Sequence, residues 1–374
     1  MNRIFLVLIS STFFAIQGFA QVSFTQDKEL LTTIEQSLDY IYNTDVATAN
    51  KLNEEVGHKL PNHPVYPMLK ALTIRAAHNP INLGSPEFYE MKGYLERVLS
   101  LSEEILKKDE MHPEANFFAM ASIGLLAMYE NDEGNHFKAV GMAKDAYTYL
   151  KNGFELKEAY PEFYFSSGLY NFYRVKYPEL HPVYRPFMLF FRDGDISLGL
   201  EQLKKAYHQS IFMSPESGEY LTHIYLRYED QPENALRYAR ALVKKYPKNL
   251  YFVTNFLDAA IAADQFSGLD TYVQQLQTSD RPYYQMTGKL FEGMLQEKRD
   301  HQWRAAEKSY IKSLEYAPGL KNDEAENYVS YAYAGLARIA HEEEKHDAAR
   351  SLYKKALANA HYRPVTEEAT AYLK

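Results

Sequence analysis

Cysteine is missing from all 374 residues, which excludes disulfides, zinc-thiolate sites and thiol nucleophiles. Glycine and proline are scarce, at 17 and 16 residues, too few for a fibrous or disordered chain. Hydrophobic residues make up 46% and charged residues 24%, a globular balance. Basic charge is in deficit: 41 Lys and Arg stand against 49 Asp and Glu, for a net charge of −8. A surface of that sign repels phosphate backbones and speaks against a nucleic-acid partner. Acidic runs such as HEEEKHD (341–347) and KNDEAEN (321–327) read as solvated helix faces or loops.

Catalytic and metal-binding signatures are also wanting. No Gly-x-Ser-x-Gly elbow occurs. His341 and Glu342 begin like a metalloprotease helix, but Lys345 stands where the second histidine would be. The 12 histidines are scattered singly. No catalytic residue, metal or cofactor is expected, and the chain reads as something other than an enzyme.

One apolar run stands out, in the opening MNRIFLVLISSTFFAIQGFAQ. Arg3 precedes an apolar stretch from Ile4 to Ile16, and Gly18-Phe19-Ala20 follows. A membrane span needs about 20 apolar residues, and this run is shorter. It predicts a secretory signal over 1–20, cut after Ala20. Gln21, and not a lipid-accepting cysteine, comes next. The mature chain, 21–374, is therefore expected free in a periplasm or secreted, with no transmembrane segment.

Beyond residue 26 apolar residues recur at helical spacing, broken by short Pro, Gly, Asn or Asp punctuation, and no alternating strand is found. About eight helix pairs are expected. Starts fall near Asp27, Pro64, Pro86, Pro113, Pro161, Pro215, Pro232, Asn249, Arg281 and Asp323. Proline suits the first turn, where its missing N–H costs nothing.

A repeat lies within these helices. Ala337, Ala349, Tyr353 and Ala356 predict a crossing in which small residues let two backbones approach and the tyrosine fills the gap beside them. The order returns as Gly293, Ala306, Tyr310, Ser313 and Pro318, and again as His223, Ala235, Ala239, Leu242 and Pro247. A looser copy has Gly124, Ala139, Ala143 and Ala146. At these residues the chain resembles the tetratricopeptide repeat family, whose units of about 34 residues carry this small, Ala, aromatic, Ala, Pro order. The match is better over 215–361 than over the irregular part, 21–160. The resemblance implies an all-α, right-handed superhelical solenoid of antiparallel helix pairs, with a concave face that typically holds a peptide or partner protein. Fold alone does not fix function.

Gly168 occupies the small-residue slot of one helix and Gly199, Leu203 and Ala206 the slots of the next. Far more chain separates them than separates Ala337 from Ala349, so an insertion, 174–194, lies within one repeat. Its stretch HPVYRPFMLFFRDGD (181–195) is too short in apolar residues to span a membrane. Ile196 and Leu198 spoil a calcium loop built on Asp193 and Asp195. Two readings stay open. Pro182 and Pro186 stiffen a crossover whose Phe187, Phe190 and Phe191 pack between helices, with Asp193 or Asp195 capping the next one; or the insertion walls a pocket, with Arg185 or Arg192 as an anionic anchor. The candidate binding residues are Tyr170, Tyr173, Arg174, Tyr184, Arg185, Phe187, Phe190, Phe191 and Arg192.

With 32 Tyr and 21 Phe, aromatic rings serve helix crossings and leave some for a groove that suits peptide backbones or sugar rings. The expectation is a binding scaffold of the bacterial cell envelope that holds a protein or peptide segment. The alternative is a soluble glycan or small-molecule receptor.

Overall fold

The computed structural model describes residues 23–78, 81, 83–132, 134–180, 185, 191–320 and 323–374. The expected signal, 1–20, lies outside them. The described residues form helices and no strand. They fall into pairs: α1 (Lys28–Tyr42) with α2 (Val46–Lys59), α3 (Val65–His78) with α4 (Pro86–Leu106), α5 (Pro113–Asp132) with α6 (His136–Leu156), and α7 (Phe163–Leu180) with α8 (Ile196–Gln209). Next come α9 (Ser214–Arg227) with α10 (Pro232–Lys245), α11 (Leu250–Ala262) with α12 (Asp270–Gln277), α13 (Pro282–Lys298) with α14 (Trp303–Tyr316), and α15 (Asp323–Glu342) with α16 (His346–Asn359). A last helix, α17 (Arg363–Leu373), packs on α16 and α15.

Local chemistry sets the helix ends. Asp27 accepts hydrogen bonds from the Glu29 and Leu30 amides, and Asn249 does the same for Tyr251 and Phe252. Pro86, Pro113, Pro232 and Pro282 each open a helix. Five of the turns inside the pairs share one device: a residue in the left-handed region, at Thr44, Asp230, Asp264, His301 or Glu344, with φ between 52° and 60°. The amide just past it reaches back to the preceding helix, as from Asp45 to Tyr40 O at 2.9 Å and from Lys345 to Ala340 O at 2.8 Å. Turns this short leave only antiparallel partners.

Crossings inside the pairs follow the small-Ala-aromatic order. Ala337, Ala349, Tyr353 and Ala356 are buried, as are Ala306, Tyr310 and Ser313. A β-carbon on Gly293 would come 2.8 Å from the Tyr310 ring, so the slot takes no side chain. The α5–α6 pair departs from expectation: Gly124 is exposed with no atom near its missing β-carbon, and Ala143 is exposed as well. Apolar residues surround the whole of α5, so small-residue spacing could not select its packed face.

The first helices of successive pairs pack side by side, α9 on α11 on α13 on α15, and form one face of the stack. Two large apolar clusters run through it, one from Phe172 to Ala369 and one from Phe24 to Phe212. No helix among the described residues is long and apolar enough to cross a membrane.

Candidate functional site

Helix α9, SPESGEYLTHIYLR, carries Glu216, Glu219, His223 and Arg227 at steps of three and four, hence on one face. Each meets groups from distant repeats. Arg227 is buried and donates to Asp258 of α11 and to the Tyr331 hydroxyl of α15. Its guanidinium lies over the rings of Tyr328, Tyr331 and Tyr362 at 5.9, 5.4 and 5.4 Å. Burial opposes its charge, yet Asp258 and the tyrosine hydroxyls hold its pKa above the ordinary arginine value. One turn away, burial and then Arg227 push His223 down to about 3, so it is a neutral ring edge-on to Tyr362 at 5.2 Å.

At the opposite end of the stripe, Glu216 pairs with Arg75 of α3 at 3.0 Å and accepts from the Tyr42 hydroxyl at 3.2 Å. The N-terminal pairs thus turn back onto the later ones. Tyr246 donates to Asp39 at 2.9 Å, the Asn249 amide to Tyr42 O at 2.8 Å, and Arg281 to Ala77 O at 2.8 Å.

Between these two ends stand Glu219 and, from α15, Glu324, both half-buried. Burial, then Glu216, raises Glu219 to about 8. Burial likewise raises Glu324 to about 7, against the pull of Arg227 and of the Tyr283 and Tyr251 hydroxyls. Tyr251 of α11 reaches both carboxyl groups. Tyr283 of α13 is buried at 6% exposure, and its hydroxyl faces Glu324. Such a site can bind and orient polar groups. No group of three or more His, Asp or Glu among the described residues could hold a metal ion.

Of the residues chosen from sequence, Tyr173 adjoins this face, its ring edge-on to Tyr228 at 5.7 Å. Several others gather elsewhere, where α6, α7 and the segment before α8 meet. There the Tyr170 hydroxyl donates to Arg192 O at 2.5 Å, Phe191 is edge-on to Tyr147 at 5.3 Å, and Arg192 lies over Phe154 at 5.1 Å. Arg174 pairs with Asp193 at 3.6 Å. Arg185 is exposed and donates to Pro178 O at 3.2 Å. Tyr184, Phe187 and Phe190 lie outside the described residues. Helix α7 continues to Leu180, through the first part of the expected insertion, and Asp195 caps α8 through the Leu198 amide at 2.9 Å.

Sequence reasoning passed over Glu216, Glu219 and Arg227. Their signal was a polar stripe at helical spacing on a helix whose neighbours are apolar. A cleft of about 620 Å³ lies at the far edge of the stack, lined by Trp303, Arg304, Ile339, Glu342 and Glu343. It gathers no buried polar group and is an open shelf between helix ends.

No protein-family model matches the chain, and no curated protein matches it in sequence. Among solved structures, the human IFIT1 dimer with m7Gppp-AAAA is similar at 15% identity over 84% of this chain and 77% of that one, with a TM-score of 0.38. The human IFIT1 dimer with PPP-AAAA is similar at 15% identity over 89% and 94%, with a TM-score of 0.37. Yeast Tom70 is similar at 11% identity over 93% and 89%, with a TM-score of 0.35. Likenesses this remote say nothing of function.

Proposed function

We propose that the chain is a binding scaffold that performs no catalysis and holds a peptide or protein segment on the face built by its first helices. The observation that supports this reading is the convergence of Glu216, Glu219, Arg227, Tyr251, Asp258, Tyr283 and Glu324, from four successive repeats, on one polar face whose Arg227, Asp258 and Tyr283 are buried and whose other members are half-buried. Tyrosines around it offer amphipathic surface at small entropic cost, which suits a peptide backbone. The opening apolar run supports a place in the cell envelope. Under the same reading, Tyr170, Arg174, Phe191 and Arg192 form a secondary contact where residues 191–195 meet α6 and α7.

The test is selection of random dodecapeptides displayed on phage against immobilised protein 21–374. Enrichment of a shared motif, with micromolar binding of the synthetic peptide, is the expected result. Absence of enrichment over repeated rounds, with a folded target, removes the reading.

A further inference from the structure

The two large apolar clusters of the stack share no buried residue. Helix α7 passes from one to the other, with Phe163 in the N-terminal cluster and Phe172 in the C-terminal one, and Phe212, just before α9, belongs to the N-terminal cluster. This crossing is held firmly. The buried Glu162 carboxylate accepts from the amides of Ile211, Phe212 and Met213 at 2.6, 3.2 and 3.0 Å. Two cores joined through one fixed crossing make two bodies, and these meet a second time where the N-terminal pairs turn back.

That second meeting is mostly polar. Asp39 of α1 accepts from the Tyr246 hydroxyl at 2.9 Å and pairs with Lys245 at 2.7 Å, where both side chains are more than half exposed. The Lys248 amide donates to Asn43 Oδ1 at 3.1 Å, the Asn249 side chain to Tyr42 O at 2.8 Å, and Arg281 to Ala77 O at 2.8 Å. The apolar share is a single ring, Tyr42, stacked on Phe252 at 6.3 Å and tilted against Tyr246 at 5.6 Å. Exposed ion pairs and lone hydrogen bonds stabilise little, and polar interfaces of this kind within a chain permit relative movement.

Its position matters as much as its chemistry. Glu216, which meets Arg75 and Tyr42, stands in the first turn of α9; Asn249 caps α11, and Arg281 precedes α13. The contacts of α1 and α3 thus fall on the starts of three of the helices that build the inner face. We propose that this meeting is a clasp, which opens to admit the peptide to the inner face and closes again behind it. The clasp rests on the peptide-binding reading above and adds the regulation of that site.

Because the chain has no cysteine, Asn43→Cys/Lys248→Cys supplies its two thiols, and a short bismaleimide links them. The leading selected dodecapeptide is followed by stopped-flow fluorescence anisotropy, with the same variant capped by N-ethylmaleimide as control. Cross-linking before the peptide is added should slow association about tenfold or more, and cross-linking after saturation should slow dissociation as much. Asp39→Ala/Arg281→Ala, which loosens the clasp away from the inner face, should raise both rates several-fold. Rates left unchanged by the cross-link in either order, no cross-link in the folded protein without peptide, or no faster association in Asp39→Ala/Arg281→Ala each overturn the clasp and leave the scaffold reading standing. A selection that yields no peptide overturns the scaffold reading and the clasp with it. Far-UV circular dichroism melts on every variant separate altered binding from lost fold.

Discussion

Gly168 of α7 and Gly199 of α8 meet backbone to backbone. A β-carbon on Gly168 would stand 2.9 Å from the Gly199 carbonyl oxygen, and one on Gly199 would stand 2.7 Å from the Phe172 amide nitrogen. The obstacle in both cases is backbone, which cannot swing aside. Gly168→Ala and Gly199→Ala should each destabilise the protein by about 1–3 kcal/mol in urea denaturation. A midpoint unchanged in both would refute the close crossing.

Arg227 and Asp258 form a buried pair between repeats. Removing one partner strands the other charge, so Asp258→Asn should cost about 3–5 kcal/mol. Arg227→Met combined with Asp258→Leu should recover much of that loss. If the four corners of this cycle are additive, the pair is not coupled.

The carboxyls of the inner face set a pH dependence. Glu219 and Glu324 move from 4.5 to about 8 and about 7 on folding, so the folded state holds protons that the unfolded state has released between those values. Their contribution is fully present below pH 4.5 and is lost as pH rises through 7 and 8. His223 acts oppositely, but only between about 3 and 6.5. From pH 6.5 to 8 the melting temperature should fall, and Glu219→Gln/Glu324→Gln should fall less steeply. Glu162, raised by burial to about 7, leaves a residual slope in the variant. Equal slopes for variant and wild type would count against the assignment.

Thr44 and Glu344 hold left-handed turns, at φ 60° and 59°, that glycine adopts without steric cost. Glu344→Gly and Thr44→Gly are expected to raise the melting temperature or leave it unchanged, because relief of strain of about 1 kcal/mol opposes the flexibility gained in the unfolded chain. Their neighbours inside the helices, such as Ala340, should lose stability on the same change.

Local spacing made the pairs legible. Ala349, Tyr353 and Ala356 face one partner helix across one short turn, so their order along the chain encodes the contact. Gly168 and Gly199 were readable for the same reason, since their slots keep that order despite the chain between them. The inner face was not legible in this way. Glu219 and Glu324 come together through the stacking of four repeats, whose rise and twist are set by many side chains and by no single motif. Gly124 shows the converse: a small residue in a fitting position remains exposed because α5 is apolar all round. Aromatic density drew attention to Phe191 and Arg192, which pack on Phe154, Tyr147 and each other's neighbours rather than on the polar stripe.

The most direct test of the central claim, that the first helices of the repeats hold a peptide, is hydrogen exchange by mass spectrometry on protein 21–374 with and without the leading selected peptide. The account predicts added protection in peptic fragments from α9, α11, α13 and α15, centred on Glu219, Tyr251, Tyr283 and Glu324, and no change in α10, α14 and α16. Protection confined to 174–195 or to the second helices would contradict it.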